Sequence, residues 1–247
     1  MNNLDYLATI GSIDIRMTKN IFKILTIFVI GIAGGVFADK ILLNRYKAEH
    51  GPVYLTEKKE ITTYIQENAA LREAVEKVAK TAVGVRAKVS EDGVLRGSGL
   101  VASNDGFLVT LASLIPQGSS FAFYVDAKWP NYQVLKRDLK NNLALVKVES
   151  QGLKTAGFAE MEKIKLGERV FLVGFDFSST TPRLMVNEGV IKFFDKNLIQ
   201  TNIVETSLAS GSPLFNIEGN VVGLSVVAED GKVSAIPADK IRQFIGF

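Results

Sequence analysis

From residue 83 onward the chain is divided into short apolar or alternating runs by Gly, Asn and Asp. They fall at 83–89, 99–102, 107–111, 121–125, 143–148, 169–173, 187–194, 199–201, 220–227 and 232–236. Runs of this length and spacing, with almost no helical pattern between them, predict an all-β sandwich or barrel. The hydrophobic fraction of 47% in 247 residues excludes a disordered chain and can fill one large or two small cores. A closing segment, 238–247, reads as one helical turn or more.

The N-terminal third reads differently. Residues 21–43 include an unbroken apolar stretch from Ile24 to Ala38. With Lys23 snorkelling at one end, the segment reaches the roughly 20 residues a spanning helix needs. We expect a single transmembrane anchor at 21–43 after a tail at 1–20. The rival is a cleaved signal peptide, with Val36-Phe37-Ala38 resembling a cleavage site and Met17 heading a basic n-region as an alternative start. Arg16, Lys19 and Lys23 on one side balance Lys40, Arg45 and Lys47 on the other, so flanking charge does not orient the helix. The short tail and large C-terminal body favour an extracytoplasmic body. Residues 44–82 form a charged connector containing a β-prone stretch at 53–65. Within it Leu71, Val75 and Val78 predict a short amphipathic helix over 69–80, with Asn68 as N-cap and Glu73 paired to Lys77.

Several chemistries are excluded or restricted. There is no Cys and only one His, His50, which removes thiolate metal sites, Fe–S clusters, disulfides and a Cys nucleophile. No phosphate-cradling loop or carboxylate-rich cation loop appears, so neither cofactor nor metal is expected. Lys and Arg total 29 against 26 Asp and Glu, a balance without a nucleic-acid footprint. Trp129, Pro130 and Tyr132 read as a loop anchor rather than a binding patch. Lys58-Lys59 and Lys136-Arg137 read as solvated faces.

Five segments, in order, resemble blocks of the chymotrypsin/trypsin-like serine proteases, especially the bacterial HtrA-type branch. They are Gly97-Ser98-Gly99 with Asp105 to Ser113; Asp138 to Lys147; Leu166 to Val170 with Gly174; Ser210-Gly211-Ser212-Pro213-Leu214-Phe215-Asn216 through Gly219 and Gly223; and Ala235-Ile236-Pro237. The resemblance implies a trypsin-like pair of six-stranded β-barrels, at 83–150 and 166–247, joined by a linker at 151–165 with a cleft between them. Family members often carry a C-terminal PDZ domain, and this sequence stops too soon for one.

The same resemblance assigns positions. Ser210 falls at the nucleophile, Ser113 at the family's catalytic His and Asn142 at its Asp. Leu208 and Ser210 fall where backbone N–H groups build the oxyanion hole. A serine hydroxyl is a poor nucleophile without a base. Ser113 cannot take a proton usefully at neutral pH, and Asn142 carries no charge to stabilise an imidazolium. Leu208 replaces a glycine and resists positive φ, so its peptide is expected to turn a carbonyl into the hole. Rescue by His50, or by Lys136, Lys140 or Lys147 as a desolvated base, is the way to retain catalysis.

The expectation is therefore a catalytically degenerate, membrane-anchored member in the bacterial envelope. It would bind an extended peptide or protein partner along Leu224, Ser225, Val226 and Val227, with Ser212 at the cleft floor. Two alternatives stand beside it: an active serine endopeptidase with an unconventional base, and a structural subunit of an envelope assembly. An oligomer is compatible with the sequence.

Overall fold

The computed structural model describes residues 3–38, 40, 69–91 and 93–246, with side chains from residue 18 on. The chain divides into two compact units, Met1–Thr62 and Thr63–Phe247. In the first, α1 runs from Asn3 to Phe37. Its segment Thr18–Phe37 is 20 residues long and wholly unburied, about 30 Å of helix, the thickness of a bilayer's hydrocarbon. The apolar segment thus starts three residues before the expected 21–43 span, and the helix that carries it extends back through most of the expected tail. Residues 41–43 lie outside the described residues, as do His50, the stretch 53–65, Lys58, Lys59 and Asn68. Thr26 removes its own polarity by donating to the Phe22 carbonyl one turn back (2.8 Å).

The second unit opens with α2, helical over 69–78. It buries Ala74 and Val78, with Leu71 and Val75 packed beside them, the face its periodicity indicated. Lys77 does not pair with Glu73; its Nζ donates to the Glu218 carbonyl instead (2.8 Å).

Six strands follow: β1 Ala82–Lys88, β2 Val94–Val101, β3 Phe107–Leu111, β4 Ser120–Tyr124, β5 Tyr132–Asp138 and β6 Leu143–Val148. Their order is β4-β1-β2-β3-β6-β5, and every pairing is antiparallel. This sheet is barrel-like but leaves β4 and β5 as edges. Tyr132 fills the seam: its Oη accepts the Phe121 N–H (3.2 Å), and its ring meets Phe123 edge-on at 5.1 Å. Trp129 packs on Tyr124 at 5.1 Å, anchoring the loop as expected.

The remaining strands are β7 Arg169–Asp176, β8 Arg183–Phe194, β9 Ile199–Val204, β10 Pro213–Asn216, β11 Val221–Val227 and β12 Lys232–Pro237. They close into a barrel, β10-β11-β12-β9-β8-β7, and α3 (Ala238–Ile245) follows. Strand alternation sends Val170, Leu172 and Leu214 into the barrel's own core. Phe171, Val173 and Phe215 point outward and join the core of the first sheet. Burying two such Phe side chains stabilises by about 1.5–3 kcal/mol each. The same burial on both faces makes β7 a continuous apolar run.

Candidate active site

Between β9 and β10 the chain makes a tight 3-10 turn, Ser207–Ala209, and Ser210 follows in extended backbone at φ −63°, ψ 134°. The turn is held by successive bonds: the N–H groups of Ala209, Ser210 and Ser212 donate to the carbonyls of Thr206 (3.0 Å), Ser207 (3.0 Å) and Ala209 (3.1 Å). Gly211 has φ +77°, and a Cβ there would lie 2.2 Å from the Ser98 carbonyl oxygen, so only glycine fits. Its N–H donates to the Ser225 carbonyl (2.8 Å), and Ser225 Oγ donates to the Ala209 carbonyl (2.5 Å). Ser210 itself is half-buried.

The other half of the site sits at the end of β3. Ser113 is exposed in the 3-10 turn Ala112–Leu114. Its N–H donates to Asn142 Oδ1 (2.9 Å), and the Ala112 N–H donates to the Asn142 carbonyl (3.2 Å). Asn142 adopts φ +53°, a left-handed conformation that Asn tolerates better than most residues. The preceding turn is fixed by Asp138, whose carboxylate accepts from Asn141 N–H (3.0 Å) and Nδ2 (2.6 Å). Those two bonds hold its pKa below the ordinary carboxylate value.

The two halves meet at β2. A Cβ on Gly97 would lie 2.5 Å from the Ser210 carbonyl oxygen and 2.6 Å from Leu114 Cδ1. Ser98 donates its N–H to the Ser210 carbonyl (2.9 Å). Its hydroxyl accepts the Phe175 N–H (2.9 Å), and its carbonyl accepts Thr110 Oγ1 (2.7 Å). Ser98 is thus the polar bridge between the first sheet and the closed barrel. Its Gly-Ser-Gly context was visible in the sequence, but its partners lie 77 and more than 100 residues away.

No described residue is a histidine. Lys147 donates to the carboxylate of Asp105 at 2.8 Å, a bond that lowers the Asp105 pKa. Lys136 donates to the Phe244 carbonyl (3.1 Å). Both amines are therefore engaged away from Ser210. Lys140 is exposed, without the desolvation a neutral amine requires. Leu208 avoids positive φ by lying inside the 3-10 turn. The Ser210 N–H is then committed to the Ser207 carbonyl and is not free to meet a developing oxyanion.

The expected peptide edge needs correction. Ser212, Leu224 and Ser225 are fully buried. Leu224 pairs with Pro213 inside the barrel wall, and both backbone bonds of Ser225 are taken, by Gly211 and Ser212. Ser212 Oγ has no hydrogen-bond partner among the described residues and faces Gly174 rather than a cleft. Val226 and Val227 are half-buried and paired with β12 on one side, and on the other side they lie beyond the end of β10.

A six-stranded sheet carrying Ser113 and Asn142, bonded through Ser98 to a closed six-stranded barrel carrying Ser210, defines a chymotrypsin-like double-barrel protein. Residues 97–224 match the trypsin-like peptidase domain family, and the chain belongs to that family, with HtrA-type relatives. It is 31% identical over 162 residues to serine protease HTRA1 of Xenopus laevis, covering 60% of this chain and 35% of that protein. It is 30% identical over 140 residues to a probable periplasmic serine endoprotease DegP-like of Hahella chejuensis, covering 52% and 29%. Against serine protease HTRA1B of Danio rerio it is 31% identical over 195 residues, covering 71% and 40%. The chain thus spans well under half the length of these relatives.

Proposed function

We propose that this chain is a membrane-tethered trypsin-like pseudoprotease that binds an extended peptide or protein partner outside the cytoplasm without cleaving it. The observation that carries this reading is the state of the Ser210 turn. Its N–H donates to the Ser207 carbonyl, and the residues at the family's His and Asp positions are Ser113 and Asn142. Losing the base lowers turnover roughly 10⁶-fold in serine proteases where it has been tested. Replacing the acid by its amide lowers it roughly 10⁴-fold. Either loss is enough. A closed oxyanion hole adds a further barrier.

The apolar helix Thr18–Phe37 supports the tether, and the periplasmic assignment of the DegP-like relative supports the compartment. Binding can outlast catalysis because strand addition uses backbone groups and side-chain pockets alone. In β11 the backbone bonds of Ser225 run towards the β10 side, so alternation turns those of Val227 the same way, past the end of β10. That leaves the backbone of Val227 for the peptide, since Val226 turns its own towards β12. The test is reactive-serine labelling with a fluorophosphonate probe, alongside casein digestion. Wild type and Ser210→Ala are expected to behave identically in both assays. Labelling or cleavage that disappears in Ser210→Ala would overturn the proposal in favour of an active endopeptidase.

A further inference from the structure

The outer face of the first sheet carries a basic cluster on β1 and β2. Val85, Ala87 and Gly97 are buried, so alternation turns Arg86, Lys88 and Arg96 outward, and all three are exposed. Arg86 and Arg96 are direct partners across the two strands. Lys88 follows on the same face, with Val94 opposite it on β2 and Ser120 on β4. Like charges set opposite each other destabilise a sheet, and none of the three forms an ion pair among the described residues. Of the acids on adjoining elements, Asp176 accepts from the Ser178 N–H (2.8 Å) and hydroxyl (2.5 Å). Glu91 and Asp126 are exposed and pair with none of these cations.

An aromatic cluster adjoins the charge. Two residues before Arg86 on the same face, Gly84 pairs with Tyr124. A Cβ on Gly84 would lie 2.7 Å from Phe177 Cζ and 3.4 Å from Phe175 Cγ, so glycine lets both rings lie against β1. Tyr124 joins them, edge-on to Phe175 at 5.5 Å and 5.1 Å from Trp129. Trp129 remains 47% exposed. The turn that presents it holds Asp126 and Ala127 at φ 45° and 62°, a conformation costly for alanine. This face looks away from the candidate active site. The Cβ position of Gly97, on the opposite side of β2 from Arg96, is the one that meets Ser210 and Leu114.

We propose that this face docks on the anionic phospholipid surface of a membrane. The three cations meet lipid phosphates, while Trp129 and Tyr124 enter the headgroup layer, where amphipathic rings are favoured. The opposed arginines, unfavourable in water, become favourable when phosphates accept from both guanidiniums. A bilayer is the occupant argued here because the same chain carries Thr18–Phe37, long and apolar enough to cross one. Three cations are too few for the many phosphate contacts on which nucleic-acid affinity depends. The proposal rests on the tether only for bringing the chain to a bilayer, and on neither Ser210 nor Val227.

Trp129 is the one tryptophan in the chain, so it reports directly on this face. The test reconstitutes the full chain into phosphatidylcholine vesicles with and without phosphatidylglycerol, each carrying the same fraction of a headgroup-nitroxide lipid. Quenching of Trp129 is expected to be stronger in the phosphatidylglycerol vesicles, with an excess that fades as salt rises. Arg86→Gln, Lys88→Gln and Arg96→Gln together should abolish the excess, and each alone should weaken docking about fivefold. These changes relieve a repulsion between exposed groups, so the fold is kept. Arg86→Lys with Arg96→Lys should retain the excess, and Lys196→Gln, at an exposed position on the β8–β9 turn, should leave it unchanged. Equal quenching in the two vesicles, an excess insensitive to salt, or one that survives the triple variant would overturn the proposal. So would soluble polyglutamate that binds through the three cations while anionic vesicles give no excess, an outcome assigning the face to an acidic protein. Co-flotation of the chain with pure phosphatidylcholine vesicles reads the tether separately, so the two readings can fail independently.

Discussion

Ser98 couples the first sheet to the closed barrel through two hydrogen bonds, to Ser210 and Phe175, while Thr110 holds its carbonyl within its own sheet. Ser98→Ala keeps the backbone pair but strands the Phe175 N–H. We expect a loss of about 1–3 kcal/mol in chemical denaturation, read against wild type under the same conditions. Ser212 presents the opposite case, a buried hydroxyl with no partner among the described residues. Ser212→Ala retains the Cβ and removes the unmatched polar atom, so stability should rise by about 1 kcal/mol. A stability loss would reveal a partner for that hydroxyl. At the catalytic positions, Ser113→His, Asn142→Asp and Leu208→Gly made together should restore Ser210-dependent peptidase activity measurable on casein. The Asn142→Asp carboxylate can keep accepting the backbone N–H of position 113, and Leu208→Gly permits the conformation that leucine resists. Ser113, Asn142 and Ser210 were legible in the sequence because short motifs frame them. The burial of Ser212 was not, since nothing adjacent in sequence reports that Gly174 lies against it.

Among elements, the strands with clear apolar patterning were legible, and β3 and β6 have the expected limits. β5 and β10 were not foreseen. β5 is a bulged edge strand with mostly exposed polar residues, so it lacks the alternation that half-burial imposes. β10 is four residues long and starts with proline, which reads as turn chemistry until β7 and β11 are seen on either side. The β5–β6 turn carries a pH prediction. The Asp138 pKa is lowered by its bonds to Asn141, so its contribution is present above the unfolded carboxylate pKa. It is lost as pH falls through the lower folded value. Unfolding midpoints should therefore stay level from neutrality to about pH 5 and drop below about pH 4. Asp138→Asn should reduce that drop; an unchanged acid limb would remove Asp138 from the cause.

At the scale of the whole molecule, the apolar helix and the barrel pair belong to separate units. The proposed tether makes a direct prediction: the chain stays with membranes through alkaline carbonate extraction, while a chain lacking residues 1–40 is released. Recovery of the intact full-length chain in the supernatant would remove the anchor. By itself the sequence determined the all-β class and the apolar helix, and it raised the expectation of which residue types stand at the family's catalytic positions. Those depend on side-chain period and chemistry, which are written locally. Tertiary structure alone decided that the first sheet leaves a seam for Tyr132 and that the Ser210 N–H is satisfied within its own turn. It also decided that Leu224 and Ser225 lie buried within the barrel wall. Each of these depends on which hydrogen-bond donors, acceptors and charges the fold brings together from distant parts of the chain.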